Sequence, residues 1–196
     1  MKIQQVAFKY SPCLNGFISD KAFNEHLTLY KGYVDKSNQI FENLHGDAKR
    51  GDANKTYSLY RGLKKGESFA MDGVILHELY FRNIGKEGQS PGPKFRELIQ
   101  ESYGSYERWA EDFVACAKSA RGWCVAAFEQ RTRRLCNILM DAHDEGLIVS
   151  AYPLLVIDMY EHAYFTDYGT DGARYAGEFM KHVDWAAVEE RAVRVC

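Results

Sequence analysis

The sequence has few of the features that define membrane, secreted or nucleic-acid-binding proteins. It contains no apolar run of about 18 residues, so we expect no membrane-spanning helix. Its five cysteines are scattered and form no CxxC pair, which argues against a disulfide framework or a zinc knuckle. The 25 basic and 27 acidic residues nearly cancel, so nothing favours a nucleic-acid partner. Residues 1–10 lack the apolar core of a signal peptide, and we expect a cytoplasmic protein.

What the chain does contain is a hydrophobic fraction of 46 % in 196 residues, enough for a substantial core. Over residues 20–44 the apolar side chains recur mostly every three or four positions, which is typical of a helix. Ser19 or Asp20 is the expected cap at its start. A second apolar-periodic segment covers residues 69–84. The two segments predict an antiparallel helical hairpin with a long, partly helical connection.

The second half of the chain changes in character after a cluster of glycine and proline at residues 85–93. We take this cluster as a domain boundary, with an N-terminal helical hairpin domain over residues 1–88 and a C-terminal domain over 89–196. Helical spacing continues at 94–102 and 106–120, and returns at 173–195. Three short apolar segments between them, 122–130, 134–142 and 153–158, are rich in strand formers. The prediction is an α+β protein whose C-terminal helices surround a three-stranded antiparallel sheet.

An acid at the end of an apolar strand is the first sign of a functional site. The run at 154–157 ends in Asp158, and His162 follows four residues later. Burial of an ionised carboxylate costs several kcal/mol unless a cation or hydrogen bonds compensate it. A transition metal is one such cation, because it accepts both carboxylate and imidazole ligands.

Two further histidines can complete such a site. His26 and His77 lie in the middle of the two predicted helices, one on each arm of the hairpin, beside apolar side chains. Facing helices can direct both imidazoles at one interior point, as in metal-binding bundles. Three imidazoles and one carboxylate suit iron, manganese or zinc better than calcium or magnesium. A single histidine on an apolar helix face is more often a hydrogen-bonded core residue, so the spacing alone leaves both interpretations open.

The motifs resemble those of a known family, the iron/manganese superoxide dismutases. DMYEHAYFTDY, residues 158–168, is similar to the D-x-W-E-H signature, with Tyr160 where the family usually has tryptophan. SYGSYERWAEDF, residues 102–113, resembles the family's FGS-containing helix start, and HVDW, residues 182–185, resembles its late VNW. ARGWCVAAF, residues 120–128, is similar to the G-x-GW-x-W-L strand, with Trp123 in the place of the active-site tryptophan. The resemblance extends to residues 14–26, which look like the loop entering the first helix.

This resemblance implies a ligand set and an activity. The ligands would be His26, His77, Asp158 and His162, holding one manganese or iron ion per chain together with one water or hydroxide. The implied activity is superoxide dismutation. The metal alternates between its 3+ and 2+ states while superoxide is converted to dioxygen and hydrogen peroxide.

The resemblance also assigns roles around the metal. Iron enzymes of the family carry a glutamine where this chain has Gly73, so His143 is the expected partner of the metal-bound solvent; the alternative is a solvent-exposed turn residue. Tyr33, seven residues after the first ligand instead of the usual eight, is the expected gateway tyrosine. Glu161 corresponds to a glutamate that reaches the last histidine ligand of a partner chain, which implies a homodimer.

Three further positions depart from the family pattern. Phe165 and Gly172 stand where a tyrosine and an arginine line the substrate funnel, and Phe81 replaces a tryptophan. Loss of the arginine would weaken electrostatic guidance of superoxide. The alternative function is therefore a metal-binding family member with little or no turnover. A zinc hydrolase using the same ligands is a further alternative, although HELYF at 77–81 carries only the first half of an HExxH motif.

Overall fold

The protein, described here over residues 2–195 by a computed structural model, is built from helices that enclose one small sheet. In chain order the elements are α1 (Asp20–His45), α2 (Leu59–Asn83), α3 (Pro93–Tyr103), α4 (Tyr106–Ser119), β1 (Trp123–Glu129), β2 (Arg134–Met140), β3 (Ala151–Asp158), α5 (Glu161–Tyr168), α6 (Gly172–Lys181) and α7 (Trp185–Val195). Short 3₁₀ turns lie at Pro12–Leu14 and Arg50–Asp52. The predicted α+β class and the helical hairpin are confirmed. None of the described helices combines the length and apolarity needed to cross a membrane.

Each of the two helices of the hairpin, α1 and α2, begins at a serine cap. Ser19 Oγ accepts a hydrogen bond from the Ala22 amide at 3.1 Å, which confirms serine as the cap of α1. Ser58 Oγ accepts one from the Arg61 amide at 3.1 Å. The second helix therefore starts ten residues before the predicted segment, because its first turns are polar and carry little apolar periodicity. This start lies in the connection that we expected to be partly helical.

The sheet has the strand order β2-β1-β3, and both pairings are antiparallel. Its centre strand β1 is buried along its whole length. The register places Trp123 opposite Met140 on one side and opposite Asp158 on the other. Consequently a predicted active-site aromatic residue and a predicted ligand lie side by side at one end of the sheet.

The two halves of the chain share one continuous apolar core. Where α2 ends, Asn83 Nδ2 donates to the Val156 carbonyl oxygen of β3 at 3.0 Å. From α7, the buried guanidinium of Arg191 donates through Nε to the Leu154 carbonyl oxygen at 2.8 Å and through a terminal nitrogen to Asn83. The end of β3 is thereby held against the helical hairpin. The division into domains 1–88 and 89–196 stays a prediction.

Candidate metal centre

Four side chains from four different elements converge at one buried point. His26 comes from α1, His77 from α2, Asp158 from the last position of β3, and His162 from the first turn of α5. The potential ligand atoms of these residues all lie within 4.8 Å of one another. Asp158 Oδ2 is 3.0 Å from His26 Nε2, 3.2 Å from His162 Nε2 and 3.8 Å from His77 Nε2. The structure thus brings together the four predicted ligands.

Local structure fixes the direction of the carboxylate and of the last histidine. The Tyr160 amide donates to Asp158 Oδ1 at 2.9 Å, so one carboxylate oxygen is used in the turn that leads into α5. The other oxygen, Oδ2, faces the three imidazoles. Because α5 starts directly after this turn, His162 lies in its first turn and is directed back at the carboxylate.

The proton positions on His77 show that a cation fits this point. His77 Nδ1 lies 2.5 Å from the Gly73 carbonyl oxygen, which can only accept, so the proton of the neutral ring is on Nδ1. His77 Nε2 then presents a lone pair toward Asp158 Oδ2, and it is buried without a hydrogen-bond partner among the described residues. Two acceptors facing each other in a dry interior repel unless a cation lies between them. The donor set is therefore that of a metal site.

The electrostatics of His26, His77 and Asp158 agree with this conclusion. Burial, together with the neighbouring His26, lowers the pKa of His77 to about 3, so the ring is neutral. Burial also lowers the pKa of His26. Burial by itself raises the pKa of Asp158, but hydrogen bonds with His162 and His26 outweigh it and hold the pKa well below its usual range. Neutral imidazoles and an ionised carboxylate are the protonation states that bind a metal.

His143 lies beside the four residues and is oriented by Trp123. The Trp123 Nε1–H donates to His143 Nδ1 at 2.9 Å, so the proton of the neutral His143 ring is on Nε2. That Nε2 is buried without a partner among the described side chains and main chain. His143 is only 1 % exposed, and burial lowers its pKa to about 4. The alternative of a solvent-exposed turn residue is therefore wrong.

Gly73 makes room for His143 and Tyr33. A Cβ atom at Gly73 would lie 2.9 Å from Tyr33 Cδ1 and 3.3 Å from His143 Cδ2. The Tyr33 ring centroid is 4.7 Å from that of His143 and 5.2 Å from that of His77. Helix α1 is regular from its start to beyond Tyr33, so the offset of seven residues from His26 directs both side chains toward the same region.

Two aromatic residues complete the walls and were not predicted as site residues. Tyr160 stacks on His162 with ring centroids 5.4 Å apart and meets His143 edge to face at 5.3 Å. Phe69 packs on His143 at 4.5 Å. The sequence signal for Tyr160 is its position in the D-x-W-E-H motif, where it replaces tryptophan. The motif does not indicate how its ring packs. Phe69 carried no signal beyond its place in an apolar helix stripe.

Glu161 and the residues of the expected funnel lie on the outer side of the site. Glu161 is exposed, whereas the adjacent His162 side chain is 29 % exposed. A cavity of about 520 Å³ opens beside them, lined by Ala120, Arg121, Met159, Tyr160, Glu161, His162 and Tyr164. Phe165 is 53 % exposed on α5. The Arg174 guanidinium lies over the Tyr168 ring, 5.3 Å from its centroid.

Together, the fold and the site define a class: a protein with a mononuclear metal centre of three histidines and one aspartate, built between a helical hairpin and a small antiparallel sheet. A sequence profile of the iron/manganese superoxide dismutases, C-terminal domain, matches residues 91–191. The chain belongs to the iron/manganese superoxide dismutase family.

Individual relatives cover most of the chain. It is 38 % identical over 178 residues to the iron superoxide dismutases of Aquifex aeolicus and Aquifex pyrophilus, a match that spans 89 % of this chain and 84 % of those proteins. It is 31 % identical over 199 residues to manganese superoxide dismutase 2 of Haloferax volcanii, spanning 99 % of this chain and 98 % of that protein. The relatives thus include proteins named for iron and proteins named for manganese.

Proposed function

We propose that this protein catalyses the dismutation of superoxide to dioxygen and hydrogen peroxide, using one iron or manganese ion held by His26, His77, Asp158 and His162. The observation that carries the proposal is the convergence of three imidazole nitrogens on Asp158 Oδ2, one of them with an unpaired, buried lone pair. Family membership and relatives named as superoxide dismutases support the same activity. The bound ion supplies a one-electron couple between its 3+ and 2+ states.

The chain's own residues would orient the reactants and handle protons. Because Trp123 fixes the tautomer of His143, the Nε2–H of His143 is the donor available to a small oxygen ligand in the site. We assign to Tyr33 the role of the gateway residue, since its ring touches both His143 and His77. Burial raises the pKa of the Tyr33 phenol and Asp158 raises it further, so the hydroxyl keeps its proton at neutral pH. Tyr33 is then a proton donor next to the site.

The walls of the site favour a very small substrate. Tyr33, Phe69, Tyr160 and Trp123 surround the histidines with aromatic rings. Such a lining leaves little space for an organic substrate and excludes bulk water from His26 and His77. A diatomic anion is compatible with this restriction.

Replacement of the carboxylate tests the site. We expect Asp158→Ala to abolish metal retention, because the histidines lose the anion that balances the cation's charge. The measurement is metal content by elemental analysis, followed by a dismutase assay after reconstitution with iron and with manganese. His182→Gln is the matched control, since His182 is another buried histidine whose Nδ1 bonds the Glu178 carbonyl oxygen away from the site. Normal metal content in Asp158→Ala would refute the site.

A second candidate function, a metal-binding family member with little turnover, is favoured by one feature. The funnel position expected to carry arginine is Gly172, and the nearby Arg174 is stacked on Tyr168. An assay of the fully metallated protein separates the candidates. Activity no greater than that of the free metal ion would support the binding protein.

We propose that the protein is a homodimer in which Glu161 reaches His162 of the other subunit. The exposed Glu161 and the cavity beside His162 support this arrangement, because they leave room for a second chain next to the last ligand. The proposed location is the cytoplasm, based on the composition and on the free thiols of the four cysteines within residues 2–195.

A further inference from the structure

Two cysteine thiols from different elements face each other between α4 and β1, outside the metal centre. The Cys124 thiol donates to the Phe113 carbonyl oxygen of α4 at 3.6 Å. Cys116 lies three residues after Phe113, and helical side chains lean back over the preceding turn, so its sulfur is directed toward the same place. The Cys116 and Cys124 thiols are close enough to affect each other's ionisation. Both are free thiols in this structure.

The two cysteines differ in accessibility. Cys124 is fully buried, whereas Cys116 is half-buried. The neighbouring Cys124 thiol lowers the pKa of the Cys116 thiol, although burial and Asp112 oppose this effect. Burial raises the pKa of Cys124 well above its usual value. A small oxidant therefore meets Cys116 first, and Cys124 is placed to react second.

We propose that Cys116 and Cys124 form a modification site that hydrogen peroxide oxidises to an intrachain disulfide. Hydrogen peroxide is the product of the proposed dismutase activity. Only the source of the oxidant rests on that proposed function; the reactivity of the two thiols does not. No other pair among the described cysteines has this arrangement: Cys13 is exposed, and the Cys136 thiol bonds the Ala127 carbonyl oxygen at 3.5 Å.

The chemistry balances in two steps. The Cys116 thiolate attacks one peroxide oxygen, the O–O bond breaks, and the leaving hydroxide takes up the thiol proton to become water. Cys116 is then a sulfenic acid, oxidised by two electrons. The Cys124 sulfur attacks the Cys116 sulfur, the S–O bond breaks, and the hydroxide leaves with the Cys124 proton as a second water. Two thiols and one peroxide give one disulfide and two waters.

The position of the pair predicts that the disulfide leaves the metal centre intact. Neighbouring residues on a strand point to opposite faces, so Trp123 faces His143 while Cys124 faces α4. Oxidation would link α4 to β1 on the far side of the sheet from the ligands. We expect metal content and dismutase activity to be unchanged by the link.

Peptide mapping tests the proposal. Manganese-loaded protein, chosen because iron generates other oxidants from peroxide, is treated with hydrogen peroxide, alkylated while denatured and digested with trypsin without reductant. We expect a disulfide-linked pair of peptides, residues 109–118 and 122–131. Alkylation of Cys116 and Cys124 should be lost together, in equal proportion.

Variants define the outcome. Cys116→Ser and Cys124→Ser should each lose the linked peptides, and Cys136→Ser should keep them. In Cys124→Ser, the sulfenic acid at Cys116 has no partner thiol, so dimedone should label it. This label does not depend on disulfide formation. A normal circular dichroism spectrum of the variant would exclude a folding defect as its cause. The proposal is overturned if both thiols stay alkylatable after Cys13 has been oxidised, or if the links join two chains. Because the peroxide is added, a linked but dismutase-inactive protein would count against the proposed function alone.

Discussion

At the scale of single residues, Gly73 determines which side chains can lie beside the four convergent residues. Its missing side chain leaves the volume that Tyr33 and His143 occupy. A glutamine on α2 and a histidine from the turn after β2 cannot both fill this volume. The presence of histidine at position 143 therefore depends on glycine at position 73.

A methyl group at Gly73 tests this coupling. We expect Gly73→Ala to destabilise the fold by about 1–3 kcal/mol, because the new Cβ would overlap the Tyr33 ring at 2.9 Å. Gly62→Ala is the control on the same helix: nothing lies within 4 Å of its Cβ position, so helix propensity should stabilise the protein by about 0.5–1 kcal/mol. Urea unfolding measures both. Equal effects in the two variants would contradict the packing argument.

His143 provides a second test at this scale. We expect His143→Ala to retain the metal, since the residue is not among the four convergent ligands, but to shift the midpoint potential of the bound ion. Trp123→Phe should shift it in the same direction by a smaller amount, because it removes only the bond that fixes the His143 tautomer. A spectroscopic redox titration measures both shifts. An unchanged potential in His143→Ala would remove His143 from the proposed mechanism.

The four convergent residues are predictable from the sequence in two steps. The helical spacing of His26 and His77 and the place of Asp158 at the end of an apolar strand make a metal site one of two interpretations, and the resemblance to the family's motifs selects it. It did not predict Tyr160 and Phe69 as walls of the site. Aromatic residues in apolar stripes have the same sequence pattern whether they face the core or a cavity. Only the packed structure separates the two cases, as it does for His143, which the sequence left open.

At the scale of elements, Glu129 ties the three strands together at the end of the sheet opposite the metal centre. Its carboxylate accepts from the Arg131 amide at 2.8 Å, from the Thr132 amide at 2.7 Å and from the Ser150 hydroxyl that precedes β3. The turn between β1 and β2 is thus held by a carboxylate at the end of β1. Hydrogen bonds from Ser150 and Thr132 lower the pKa of Glu129 to about 2.

This lowered pKa predicts a pH dependence. A carboxyl group whose pKa is lower in the folded than in the unfolded chain stabilises the fold above its ordinary pKa of 4.5, and this stabilisation is lost as the pH falls toward 2. We expect Glu129→Gln to be less stable than the parent at pH 7, with the difference shrinking below pH 4.5. Urea unfolding between pH 7 and 3 measures it, with Glu111→Gln as the surface control. A constant difference across this range would exclude ionisation as the cause.

The hairpin and the three strands followed from periodicity, whereas two element boundaries did not. Helix α2 begins in a polar stretch, where a serine cap and not an apolar stripe marks the start. Helix α5 has only eight residues. Over so short a segment, the apolar pattern of a helix cannot be distinguished from that of a loop. Its start follows a local turn in which the Tyr160 amide donates to the Asp158 carboxylate.

At the scale of the whole molecule, the proposed dimer makes a separate prediction. We expect sedimentation equilibrium to give twice the 22.5 kDa chain mass. Glu161→Ala should shift the equilibrium toward monomer and weaken metal retention, because His162 loses its partner across the interface. Glu190→Ala, at an exposed glutamate on α7 that forms an ion pair with Arg194, should remain dimeric. A monomeric parent protein would contradict the dimer and leave the metal site untouched.

The burial of the four ligands has a consequence for how the protein acquires its ion. Asp158 and His77 are fully buried and His26 is 2 % exposed, so only the side of His162 is open to solvent. We expect exchange of a bound ion to need a local opening that frees it from the three buried ligands. Exchange would then be slow, and the iron and manganese content of a preparation would reflect the supply of the two metals during growth as well as affinity.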